Sequence, residues 1–161
     1  LLLLFAALGK FRQAALLMCI IPLALFGGML ALNIRGMTLN VSSAVGFIAM
    51  FGLSIQNGII MVSQVNGLRR GGMELRKSVI EGARQRFRPI LMTSVTTILG
   101  LFPASLATGI GSDVQRPLAT VIVYGLMFST FISIFLLPVF YYLVENNVLN
   151  KKKNDEKEYT I

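Results

Sequence analysis

The sequence contains no histidine, no tryptophan and one cysteine in 161 residues. Lack of histidine excludes imidazole acid/base chemistry, a Ser-His triad, a Cys-His nucleophile and the usual His or Cys zinc clusters within this chain. Cys19 alone excludes an intrachain disulfide and leaves the redox compartment open. Charge is scarce too. Charged residues make up 14% and hydrophobic residues 55%, with a mean hydropathy of +0.72, against about 25% charged in an average soluble domain. Asp113 is the only aspartate before the C-terminal tail, which removes the paired aspartates an intramembrane protease would need. What remains is the composition of a membrane protein.

Charge-free windows locate the spans, because about 20 apolar residues at 1.5 Å each cross a hydrocarbon core of roughly 30 Å. Four windows are free of Asp, Glu, Lys and Arg: Gln13 to Ile34, Gly36 to Leu68, Pro89 to Ser112, and Pro117 to Val144. They predict an all-α polytopic bundle with transmembrane helices over 13–34, 41–64, 89–107 and 117–144. Residues 1–8 are apolar from the first position and reach only about 12 Å as a helix, so they read as the end of a further, truncated span. No positive region precedes them, which argues against a secretory signal.

The net charge of +8 is mostly topology. Lys10 and Arg12, the seven basic residues from Arg69 to Arg88, and Lys151, Lys152, Lys153 and Lys157 all fall on one side of the predicted spans, leaving only Arg35 and Arg116 opposite. Thirteen of 15 basic residues on one face is the positive-inside pattern, which predicts a multi-pass protein with a cytoplasmic C-terminus. Nucleic acid is not an expected partner, since these residues lie beside membrane spans and lack an aromatic stacking platform. The lipid bilayer is. Between the second and third spans, Leu75, Val79, Ile80, Ala83 and Phe87 recur at helical spacing, predicting an amphipathic cytoplasmic helix over 71–88. Residues 145–161 turn polar and predict a disordered cytoplasmic tail.

Polar groups inside spans point to function, because unpaired polar groups in hydrocarbon are costly. In the second span Met50, Ser54, Asn57, Met61 and Gln64 form one helical stripe, with Gln56 offset by about 100°. Gly46, Gly52 and Gly58 remove bulk and predict close helix packing. The third span offers Thr93 and Thr97 on one face, beside Ser94 and Thr96. Either the hydroxyls bond back to their own helix while the amides bridge helices, or the groups form a seam for proton or ion coupling. No span carries a carboxylate or amine, so a proton relay near neutral pH would need groups from other helices. The eight methionines suggest packing more than soft-metal ligation, and no metal ligand set or cofactor is predicted.

Several runs resemble the resistance-nodulation-division (RND) efflux transporters. Arg86-Phe87-Arg88-Pro89-Ile90-Leu91-Met92-Thr93-Ser94, followed by Gly100, Pro103 and Ala107-Thr108-Gly109-Ile110-Gly111-Ser112, is similar to the family's second-last transmembrane helix. Ile21-Pro22-Leu23-Ala24-Leu25 with Gly27-Gly28, and Phe51-Gly52-Leu53-Ser54-Ile55-Gln56-Asn57-Gly58, resemble helices nine and ten, and Pro138-Val139-Phe140-Tyr141 the close of the twelfth. Gly111-Ser112-Asp113-Val114-Gln115-Arg116-Pro117-Leu118-Ala119, together with Asn57-Gly58, resembles the heavy-metal efflux branch. The resemblance, over about residues 1–145, implies the C-terminal membrane segment of a proton-coupled secondary transporter, not an enzyme, that exports heavy-metal cations. It also implies a bacterial inner-membrane location, a homotrimer, a periplasmic adaptor protein and an outer-membrane channel. A multidrug RND exporter and a non-transporting helical membrane subunit are the alternative readings. Drug exporters place a Lys where Gln56 stands, so their relay does not carry over directly. The resemblance implies a proton-coupling seam of Gln56, Asn57 and Thr93, with Arg86 at its cytoplasmic end.

Overall fold

A computed structural model describes the backbone of residues 8–9 and 11–158, and the side chains of these residues except 20 and 148–158. The truncated span expected over residues 1–8 therefore lies outside the described residues but for Leu8. Helices make up the fold: α1 (Phe11–Ile34), α2 (Val41–Arg70), α3 (Leu75–Ser105), α4 (Ser112–Phe131), a π segment (Ile132–Leu136) and α5 (Leu137–Glu158). The last three run on as one rod, so four helices among the described residues are long and apolar enough to cross a membrane.

Local chemistry sets the turns. α1 ends where Gly36 takes a left-handed φ of 62°; Met37 N–H then donates to Leu32 O and Gly36 N–H to Asn33 O, closing the two orphan-carbonyl bonds of a Schellman motif. Gly72, at φ 85°, ends α2 in the same way through Met73 to Leu68 and Gly72 to Arg69. Asn40 starts α2 with a capping box: its side chain accepts from Ser43 N–H at 2.9 Å, and Ser43 Oγ accepts from Asn40 N–H at 2.9 Å. The π segment precedes Pro138, which has no N–H and whose ring would clash with the carbonyl four residues back. A wider turn, in which Leu137 N–H reaches back to Ile132 O, accommodates it.

α4 is the central helix. It packs against α1, α2 and α3, and an apolar 18-residue stretch of the span it opens is 61% buried within the chain, against 11% for such a stretch of α3. Small residues bring it close. Gly28 of α1 faces Phe47 and Val121, Gly46 of α2 lies against Leu118 and Val121, and Gly125 of α4 takes the side chain of Met50. A second core gathers Leu17, Met61, Val62, Val65, Val79 and Leu137 near the basic end of the bundle. At the other end Arg35 donates to Ser105 O at 2.8 Å and Thr120 Oγ1 at 3.0 Å, tying α1, α3 and α4 together.

The structure departs from the sequence reading at two places. The 71–88 amphipathic helix and the 89–107 span are one continuous helix, α3, passing through Pro89. Proline fixes φ near the helical value and removes one backbone bond; burial of Gly82 against Val65 before it, and of Ile90 and Ser94 after it, holds both halves in place. The polar tail expected to be disordered from 145 is helical to Glu158. Lys and Glu are good helix formers, and Glu145, paired with Arg69, is buried where the tail was expected to begin.

Candidate functional site

On α2, Leu53, Gln56, Asn57 and Ile60 stand at i, i+3, i+4 and i+7; on α3, Arg86, Pro89, Ile90, Thr93 and Thr97 repeat the same helical spacing. Facing each other, the two stripes line a cavity of about 320 Å³, to which Ser94 of α3 and Leu126 of α4 also contribute. All four residues named for the coupling seam, Gln56, Asn57, Thr93 and Arg86, line it. They do so differently. Gln56 is exposed on the face of α2 that this chain leaves open, Asn57 is half-buried, and neither amide is hydrogen-bonded to another described residue. Thr93 Oγ1 donates back into its own helix, with Pro89 O at 3.1 Å and Ile90 O at 3.0 Å as acceptors. Thr96 and Thr97 do likewise, to Met92 O and Thr93 O.

Arg86 ends a polar chain. Its Nη2 donates to Gln64 Oε1 at 2.7 Å, Gln64 Nε2 to Gln85 Oε1 at 2.7 Å, and Gln85 Nε2 to Glu81 Oε1 at 3.0 Å. Its Nε is buried and meets no acceptor, an arrangement that costs about 1 to 3 kcal/mol unless some group supplies one. The cavity thus offers amides, hydroxyls and a guanidinium, and no carboxylate among its lining residues. Such a set can orient and exchange hydrogen bonds; it cannot itself take up a proton near neutral pH.

The stripe read from the sequence is divided between two surroundings. Met50 and Met61 are fully buried and Ser54 Oγ lies 2.7 Å from Ser129 Oγ, so these three face the interior. Ser94 similarly accepts from Thr130 at 2.7 Å. Of the three glycines read as packing positions, Gly46 lies against α4 and Gly58 against Leu17, whereas no atom lies within 4 Å of a Cβ built on Gly52. Among the described residues Gly52 has no neighbour to admit.

A polar cluster that the sequence reading missed lies at the basic end. Gln13 Nε2, fully buried, donates to Asn66 Oδ1 at 3.0 Å and Tyr141 OH at 3.2 Å; Asn66 Nδ2 returns a bond to Gln13 Oε1 at 2.7 Å, and Tyr141 OH donates to Asn66 Oδ1 at 2.7 Å. Beside it Arg69 pairs with Glu145. Three helices are joined without one unmet amide. The signal was present as Asn66/Arg69 and Tyr141/Glu145, pairs three and four residues apart at the ends of two spans.

Residues 1–145 match the model of the AcrB/AcrD/AcrF family. The chain is 42% identical over 158 residues to the cobalt-zinc-cadmium resistance protein CzcA of Cupriavidus metallidurans, a match covering 98% of this chain and 14% of that protein. It is 43% identical over 135 residues to the nickel and cobalt resistance protein CnrA of the same organism, covering 84% of this chain and 12% of CnrA. A crystal structure of a heavy metal efflux pump superposes with a TM-score of 0.80 at 53% identity, covering 89% of this chain and 14% of the pump. The chain therefore spans about 14% of the length of the CzcA it matches.

Proposed function

The chain belongs to the AcrB/AcrD/AcrF family, in the heavy-metal branch of the RND transporters, and from that premise we propose that it is the C-terminal membrane segment of a proton-coupled exporter of heavy-metal cations. It is a multi-pass membrane protein and a transporter segment. The proton coupling, the cation and the assembly are our reading. The observation that carries the mechanism is the cavity that gathers Gln56, Asn57, Thr93 and Arg86 between α2 and α3. Carboxylates on a helix outside this chain would face it, meeting the open amides of α2 and the unmet Nε of Arg86. Protonation turns a carboxylate from acceptor only into donor and acceptor. The hydrogen bonds of the cavity then favour a different helix arrangement, which shifts the population between access states. Periplasmic domains, in a homotrimer joined to an adaptor protein and an outer-membrane channel, would convert that motion into export.

The relatives named for metal resistance favour a metal cation over a drug. The test is flux in proteoliposomes containing the full-length transporter, with Zn²⁺ or Co²⁺ and an imposed pH gradient. Metal flux that stops when the gradient is collapsed is expected. Flux of organic cations alone would make it a multidrug exporter, and no flux of either would favour a non-transporting subunit.

For orientation, the basic ends of α2 and α3 are assigned to the cytoplasm of the inner membrane, together with the C-terminus. In a Cys19→Ser background, an impermeant thiol reagent added to intact cells is expected to label Asp113→Cys and spare Arg76→Cys. Labelling of Arg76→Cys from outside would reverse the assignment.

A further inference from the structure

Away from the coupling cavity, the first turns of α3 and the junction of the π segment with α5 enclose a cleft of about 630 Å³. Its walls include Ile80 and Ala83 of α3, Phe135 of the π segment, and Pro138 and Leu143 of α5, with Arg76 the one charged lining residue. Ile80 is 60% exposed and Phe135 55%, so the slot is open to whatever surrounds the bundle. Arg76 stands at the basic end, one residue from Lys77, and has no acidic partner among the described residues.

We propose that this cleft holds one anionic phospholipid, its phosphate on Arg76 and an acyl chain along the apolar slot. The charge pattern selects that occupant. An apolar helix seated here would bury Arg76 without a counter-charge, which is costly, and a zwitterionic lipid brings its own cation to compete for the phosphate. A basic group beside an apolar slot between transmembrane helices suits an anionic headgroup with its chain below. The widened π turn and Pro138 supply the concave wall: Ile134, Phe135 and Pro138 come from the segment where the α-helical ladder is interrupted. The site depends on the membrane location and on neither proton coupling nor the cargo, so binding measured without a gradient stands or falls separately from the transport reading.

The experiment is native mass spectrometry of the delipidated full-length transporter titrated with phosphatidylglycerol or phosphatidylcholine. Arg76→Gln is expected to weaken the tightest phosphatidylglycerol site about fivefold, the factor that one cationic side chain at a membrane surface is worth, and to leave phosphatidylcholine binding unchanged. Ala83→Trp, which fills the slot, is expected to remove that site for phosphatidylglycerol. Unchanged phosphatidylglycerol binding in both variants would overturn the proposal. So would protection of Ile80→Cys from a lipid-soluble thiol reagent in the delipidated transporter, because protein would then cover the cleft.

Discussion

Replacing Gly27 by alanine is expected to destabilise the bundle by about 1 to 3 kcal/mol, the range for overpacking a filled interior. A Cβ at this position would lie 2.5 Å from Phe128 Cβ, 2.7 Å from Cγ and 2.9 Å from Cδ1. No rotamer moves a Cβ, so relief requires α1 and α4 to separate, and close backbone approach is what holds membrane helices together when lipid is as apolar as their side chains. At Gly58 the obstacle is Leu17 Cδ2 at 2.6 Å, the far end of a flexible side chain, and a smaller loss is expected. Gly52→Ala reads something else: no other described residue lies within 4 Å of a Cβ built there, and Gly52 shares the open face of α2 with Gln56 four residues on, so a loss at that position would report contact with a helix from outside this chain. Thermal unfolding of the detergent-solubilised full-length protein reads all three. Because Phe128→Ala keeps the offending Cβ, adding it to Gly27→Ala is expected to leave most of the loss in place. A wild-type melting temperature for Gly27→Ala would mean that the α1–α4 contact does not bear on stability.

That contrast marks how far the sequence can be read. The all-α membrane class is legible because bilayer thickness imposes long uncharged windows, and such windows are a property of one segment at a time. Spacing also shows that Gln56 and Asn57 share a face of α2 with Leu53 and Ile60, and that Arg86 and Thr93 share a face of α3. That the two faces meet comes from the helix pairing, for which the family resemblance was the available guide. The Gln13, Asn66 and Tyr141 cluster was legible only in parts: Asn66/Arg69 and Tyr141/Glu145 are local pairs, but Gln13 and Tyr141 are 128 positions apart and nothing local joins them. Glycines are ambiguous for the same reason. Gly27 and Gly52 look alike in the chain, and only the neighbour across the interface separates them. The single helix through Pro89 shows a local rule overridden by packing on both sides of the break.

The largest functional effect is expected at the cavity between α2 and α3. Gln56→Leu removes an amide from the open face of α2, where a protonating group from outside this chain would have to be met, and an unmet buried polar group costs about 1 to 3 kcal/mol. As a bias on a coupled equilibrium, that is about 5- to 150-fold in function. Thr93→Val deletes a hydroxyl that now bonds only to Pro89 O and Ile90 O, so its fold stability should change little, and any loss of coupling comes from a partner it meets in another state. Thr96→Val is the matched control, since Thr96 is exposed, bonds back to Met92 O and does not line the cavity. The decisive measurement is proton-driven metal efflux per folded full-length transporter for these three variants. The account predicts a drop of at least about fivefold for Gln56→Leu and Thr93→Val, with wild-type flux for Thr96→Val. Wild-type flux per folded molecule in both cavity variants, whatever their abundance or melting temperature, would contradict it and leave the cavity a packing feature.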